Sequence, residues 1–298
     1  MDRRTFNRLV GLALATSSYP LSAQKKPRKL DSLQARCKAL EAKLGGRLGI
    51  NCIEVGSGRM VGYKADERFP MCSTFKWLAA AVVLSRVDAG QEQLGRRIQF
   101  SRDELMEWSP VTEPRLGGNG MTLGELCDAA ITESDNTAAN LILRETGGIP
   151  EWNRYMRSIG DAHSRLDRGE PLLNEALPGD VRDTSTPAAM TANLRRLLLE
   201  DQLSPASREQ LTQWMLATKT SDKRLRAGLP AGWRLADKTG TGFSDTGTAG
   251  DVGVLWSPSG KPIIIAVYLT RARVSRAEQE AAIADIGRWI RDDLQRAA

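Results

Sequence analysis

The strand-forming stretches of this 298-residue chain lie at its two ends, and the long middle reads as helix. Residues 48–55 and 59–64 are apolar, β-prone runs on either side of a Gly-Ser-Gly turn, the pattern of a hairpin. Residues 234–236, 252–256 and 262–270 are three further strands, the last two separated by a Ser-Pro-Ser-Gly turn. Two strands at one end and three at the other make sense only if they join in one sheet. Hairpin connections make that sheet antiparallel, and the first and last helices pack on it. The expected fold is α/β + α: a five-stranded antiparallel sheet flanked by N- and C-terminal helices, with an inserted all-helical domain. Residues 30–66 and 223–298 form the α/β domain and residues 67–222 the helical one. A cleft between such halves is the usual place for a small-molecule site.

Caps mark the helices. Ser73 opens an apolar run through Leu84 that stops near Gly90. Thr122 and Glu125 form a Thr-x-x-Glu capping box before Leu126, Ala129 and Ala130. Residues 136–145 are good helix formers and end at Gly147-Gly148. Thr186-Pro187 and Ser204-Pro205 each pair an N-cap with a proline at the first helical position. Ser275 and Glu278 cap a last amphipathic helix with Ile283, Ile286 and Ile290 on one face.

The charge balance excludes one class of partner. The formal net charge is +6, but residues 1–23 carry +2 and residues 24–30 carry +4, so residues 31–298 are neutral. No nucleic-acid partner is expected of the fold. Arg3-Arg4-Thr5-Phe6, a short apolar run at 9–15 and Ser22-Ala23 predict a twin-arginine export signal over residues 1–23. The run is far shorter than the roughly 20 apolar residues of a membrane span, so no stable membrane insertion is expected. A periplasmic or secreted monomer is the expectation. Cys37, Cys52, Cys72 and Cys127 permit two bridges in any of three pairings. His163 is the only histidine and no Cys/His cluster occurs, so neither a metal site nor a cofactor is expected.

The chemistry lies in four motifs. Ser73 and Lys76 stand one helical turn apart, with Ser73 at a helix start where the dipole favours developing negative charge. Among apolar neighbours the amine of Lys76 would lose basicity and act as a base; a solvated surface lysine is the plain alternative. Ser134-Asp135-Asn136 precedes a helix, so one of the three is a candidate cap. Glu170 and Asn174 share a loop. Lys238-Thr239-Gly240 ends a strand at the sheet edge and is followed by Thr241, a set able to hold a carboxylate while the edge backbone pairs with a ligand. A serine nucleophile needs a proton acceptor, oxyanion donors and a proton source for the leaving group. Together these motifs describe an acyl-transfer enzyme.

In this order, Ser-x-x-Lys, Ser-Asp-Asn and Lys-Thr-Gly resemble the motif set of class A β-lactamases and penicillin-binding proteins. Residues 168–183 resemble the Ω-shaped loop of class A serine β-lactamases, and Trp108-Ser109-Pro110-Val111-Thr112 resembles the segment at the mouth of their site. The resemblance implies hydrolysis of small-molecule β-lactams through a serine acyl-enzyme. By that analogy Ser73 is the nucleophile, with the backbone N–H groups of Ser73 and Thr241 as oxyanion donors. Lys76, or Glu170 through a water, is the base; Ser134 relays a proton to the lactam nitrogen. Asn136 binds the acyl-amide side chain, and Lys238, Thr239 and Thr241 the carboxylate, with Arg224 as a second cation. A surface arginine is the plain alternative for Arg224. Glu170 and Asn174 activate the deacylating water, Arg168 and Asp183 pair to close their loop, and Trp108 stacks at the cleft mouth. Thr241 is typical of members that handle cephalosporins. Two bridges known among relatives would need cysteine at Gly242 or Ala80, so Cys72 and Cys127 are expected to be free. A D-alanyl-D-alanine carboxypeptidase or transpeptidase is the second reading and a β-lactam sensor the third; the family's deacylation pair, Glu170 and Asn174, argues against both.

Overall fold

The computed structural model describes residues 29–295 apart from Ser259, so the expected export signal lies outside the described residues. Five strands form one antiparallel sheet: β1 (Arg47–Glu54), β2 (Arg59–Tyr63), β3 (Arg234–Thr241), β4 (Ala249–Trp256) and β5 (Pro262–Thr270). Their order is β2-β1-β5-β4-β3, so the two ends of the chain meet at the β1–β5 ladder and β3 is an edge.

The strand β5 explains why both faces of the sheet are covered. Ile263, Ile265, Val267 and Leu269 point to one core, shared with α1 (Lys29–Leu44) and α8 (Arg276–Gln295). Ile264, Ala266 and Tyr268 point to the other, shared with the helices of the middle. A strand with period 2 and apolar residues at every position must be buried on both sides. The expected face of α8, with Ile283, Ile286 and Ile290, lies in the first core.

The middle helices are α2 (Phe75–Asp88), α3 (Leu123–Thr132), α4 (Asn136–Glu145), α5 (Gly148–Ser158), α6 (Pro187–Leu198) and α7 (Pro205–Leu216). Their starts are set by the caps read from the sequence. Thr122 and Glu125 exchange both capping-box bonds, and the hydroxyls of Thr186 and Ser204 accept from Ala189 and Ser207 N–H. The helix α2 is buried nearly all round from Phe75 to Leu84, which is why its sequence is a continuous apolar run rather than a stripe.

Three local expectations need correction. Ser73 lies in a 3-10 turn, Cys72–Thr74, and α2 proper begins at Phe75. The third strand runs through Thr241 rather than stopping at Ala236, so Lys238-Thr239-Gly240 sits inside β3. The fourth begins at Ala249, not Val252. In both strands glycines hide the alternation: Gly240 faces Gly250 and Asp237 faces Gly253 across the ladder. Ladder bonds hold these residues extended where side-chain pattern gives no sign of it.

Candidate active site

The site is assembled where β3 crosses the start of α2. A Cβ at Gly240 would sit 2.6 Å from the carbonyl of Met71 and 3.0 Å from Thr74 Cγ2. Only glycine lets the edge strand come this close to the turn that carries Ser73. That turn is entered through Cys72 at φ +44°, a left-handed conformation that costs a side-chain-bearing residue and recurs at functional sites.

Lys76, one turn beyond Ser73, is fully buried and not the solvated lysine of the plain alternative. Its ammonium reaches Ser134 O at 2.8 Å, Asn136 Oδ1 at 2.5 Å, Glu170 Oε1 at 2.9 Å and, more loosely, Ser134 Oγ at 3.4 Å. Burial pushes its pKa down, and the Glu170 carboxylate opposes that shift. Ser73 Oγ donates to the same Glu170 oxygen at 3.3 Å. Asn174 Nδ2 donates to the other, Oε2, at 2.5 Å. Serine, lysine, glutamate and asparagine are thus one connected buried network.

The Ser-Asp-Asn motif divides its labour. Asp135 is the cap: its carboxylate accepts from the N–H groups of Ala138, Val111 and Thr112 and from the Thr112 hydroxyl. Ser134, at φ +59°, and Asn136 are left to face the site. Lys238, also fully buried, donates to Ser134 Oγ at 3.0 Å and to Thr239 O at 2.9 Å. With no carboxylate among its hydrogen-bond partners, burial and then the charge of Lys76 hold its pKa well below the usual lysine range. The two hydroxyl–amine contacts at Ser134 link the amines of both lysines.

Arg224 is buried, so the surface-arginine alternative fails. Its guanidinium donates to the carbonyls of Gly240 and Gly250, each at 2.8 Å, and to Thr241 Oγ1 at 2.7 Å, with Glu280 at 3.7 Å. Thr239 is held by the Thr220 hydroxyl at 2.6 Å. Trp108, at φ +64°, is 62% exposed, with its indole N–H on Glu133 O; it forms the rim and no part of the core.

The loop carrying Glu170 is clamped at several points. Arg168 Nε meets Asp183 Oδ2 at 2.6 Å, the expected pair, and the same carboxylate accepts the N–H groups of Asp167 and Arg168. Asp183 O in turn accepts Met71 N–H, two residues before Ser73. Asn140 of α4, which the sequence reading missed, brackets Glu170 by accepting its N–H and donating to its carbonyl, both at 2.9 Å. Its sequence signal was its place four residues after Asn136, on the same helix face.

These groups surround a cavity of about 550 Å3, large enough for a drug-sized molecule. Ser73, Trp108, Ser134, Asn136, Asn174, Arg224, Thr239 and Thr241 line it, together with Arg276, Glu280, Thr220 and Phe243, none of them among the site residues picked from the sequence. Lys76, Glu170, Lys238 and Gly240 stand behind this lining. Arg276 donates to Thr248 O at 2.8 Å and comes to the site from α8, too far along the chain for any local motif to flag. All four cysteines are unpaired and buried, and burial raises the Cys72 thiol to about 12. Cys72 and Cys127 are free, as the resemblance implied.

A profile described as "Beta-lactamase enzyme family" matches residues 32–294. A β-lactamase of Streptomyces fradiae is 45% identical over 289 residues, 96% of this chain and 94% of its own length. β-Lactamase AER-1 of Aeromonas hydrophila is 44% identical over 254 residues, 85% of this chain and 83% of its own. The solved structure of an ancestral (GNCA) class A β-lactamase superposes with a TM-score of 0.85 at 56% identity, over 88% of this chain and 99% of that one. With a site in which serine, lysine and glutamate form one buried network, and with likeness spanning most of its length, this chain belongs to the class A β-lactamases.

Proposed function

We propose that the β-lactam hydrolysis of this class A enzyme runs through an acyl-enzyme on Ser73, with penicillins and cephalosporins as substrates and β-lactam resistance as the consequence. The observation that carries the reading is the contact between Ser73 Oγ and Glu170 Oε1, with Asn174 on the second carboxylate oxygen. A carboxylate so placed can orient and deprotonate a water against an ester formed on Ser73.

Ser73 attacks the lactam carbonyl while the N–H groups of Ser73 and Thr241 receive the oxyanion. Its proton goes to Lys76, whose depressed pKa suits a base, or to Glu170 through a water. Ser134 passes a proton from the lysines to the departing nitrogen, which its contacts with both amines support. Asn136 and Trp108 meet the acyl-amide side chain and the mouth of the cleft. Lys238, Thr239, Thr241 and Arg224 hold the carboxylate, and Gly240 lets their strand approach. Glu170 and Asn174 then drive deacylation. The route uses no cofactor and no metal.

On the same reading residues 30–66 and 223–298 are the α/β domain and 67–222 the helical domain, the cleft between them holding the substrate. The protein acts as an exported monomer, periplasmic or secreted, leaving by the twin-arginine route through residues 1–23. Among the described residues no helix is long and apolar enough to cross a membrane.

Hydrolysis of a penicillin in large molar excess by the protein beginning near Gln24 tests the reading. Many turnovers per enzyme are expected. A burst of one equivalent followed by a halt would mean a trapped acyl-enzyme, as in a peptidoglycan transpeptidase or sensor, and would remove Glu170 from its role.

A further inference from the structure

Asp237 and Asp251 lie on neighbouring strands, β3 and β4, and both side chains are fully buried. Asp251 faces Thr239 across the ladder, two residues from Asp237, so both carboxyls project from the sheet on the side of α8. Asp237 Oδ1 accepts from Ser221 Oγ at 3.2 Å and Arg226 Nη2 at 3.0 Å. Asp251 Oδ2 accepts from Leu225 N–H at 3.1 Å. The other two oxygens, Asp237 Oδ2 and Asp251 Oδ1, find no donor among the described residues. The two carboxyls are diagonal neighbours on one face of the ladder, and each shifts the titration of the other. Two buried carboxyls side by side, each with an oxygen that lacks a donor, are satisfied by one proton between them.

The pair sits on the underside of the substrate strand. Through Ser221, Leu225 and Arg226 it fastens the segment before β3, and Thr218 Oγ1 adds a bond to Asp237 O at 2.6 Å. That segment carries Arg224 to the cavity wall. We propose that Asp237 and Asp251 share a single proton and act as a positioning pair, docking the 218–226 segment, and with it Arg224, against the strand that receives the substrate's carboxylate. The proposal rests on the carboxylate reading of Lys238, Thr241 and Arg224 given above.

The charged groups around the pair are Arg224 and Arg226 from the docked segment, Lys238 from β3 and, beyond Arg224, Glu280 of α8. Asp222 balances part of the charge of Arg226 at 3.6 Å. Burial, and for Asp251 the neighbouring charge of Asp237 as well, raises both carboxyls above the usual range. The shared proton is therefore held below that raised range and leaves as pH rises through it, taking the bond between the two carboxyls with it.

Asp251→Asn places a permanent N–H donor where the proton was, with the same net charge; Asp251→Val offers none. Infrared spectra of the purified enzyme should show a buried carboxylic acid band at neutral pH that vanishes in D251N. With a carboxylate-bearing penicillin, D251V should raise KM by about tenfold with kcat little changed, the cost of leaving Asp237 Oδ2 without a donor and Leu225 N–H without an acceptor. D251N should recover most of that loss, and its alkaline fall in kcat/KM should move to higher pH. Absence of the acid band, equal damage in D251N and D251V, or an unmoved alkaline limb would each overturn the proposal. An Arg224→Ala enzyme with wild-type KM and the acid band intact would instead sink the carboxylate reading and the docking role, leaving only the shared proton.

Discussion

Two buried lysines meet at Ser134 from opposite sides of the cleft, and they are not treated alike. Lys76, on the helical side, has the Glu170 carboxylate at 2.9 Å. Lys238, on the sheet side, has only a hydroxyl and a carbonyl as acceptors. Burial depresses both; the Glu170 carboxylate opposes the shift at Lys76, while at Lys238 the charge of Lys76 adds to desolvation. A buried cation with no carboxylate in hydrogen-bond contact is costly unless something else brings negative charge to it. On the helical side the protein supplies it. On the sheet side the substrate's carboxylate would, so an arrangement unfavourable in the free enzyme becomes favourable on binding.

The largest test of this asymmetry removes the resident anion. Glu170→Ala should acylate with penicillin yet lower turnover by about 10²–10⁴-fold, with the acyl-enzyme visible by mass spectrometry. Normal turnover would mean that Glu170 is not the deacylation base. On the other side, Lys238→Ala should cut kcat/KM by roughly 10–100-fold, mostly through KM, because on the proposed reading it deletes the charge that meets the substrate's carboxylate. An effect confined to kcat would make Lys238 a proton donor rather than a binding group. Gly240→Ala probes the contact between the two halves: a methyl group 2.6 Å from Met71 O must push β3 away from the Ser73 turn. Activity should fall by about tenfold while the thermal midpoint moves little, since misplacing reacting groups is felt before the core is.

The smallest effect expected is in pH dependence. Lys238 binds its proton less tightly than in the unfolded chain, so it sheds it as pH rises through the depressed value. Carboxylate substrates should then lose affinity while their esters do not. The same sign makes its burial costliest at low pH, and stability should gain from that depressed value up to the ordinary lysine range. Parallel profiles for acid and ester substrates would remove Lys238 from carboxylate binding.

Much of this was legible in the chain itself. The capping boxes at Thr122 and Ser275, the proline-led helices after Thr186 and Ser204, and the alternation of β5 act over a few residues, and such signals survive in sequence. Motif order was enough to gather Ser73, Lys76, Ser134, Glu170 and Lys238. The length of β3 was not legible, because buried Asp237 and Lys238 and the glycine at 240 break its alternation, and the ladder keeps it extended.

What the sequence determined by itself was therefore most of the elements, though not the helix over Gly148–Ser158, and the motifs that the fold gathers at the cleft. What only the tertiary structure decided was their electrostatic state. Whether Arg224 is buried, whether Lys76 has a carboxylate in contact while Lys238 has a hydroxyl and a carbonyl, and whether Asp237 and Asp251 lie side by side all depend on residues brought together from distant parts of the chain. Charge in a low-dielectric interior is set by what lies within a few ångströms in space, and local sequence does not encode that distance.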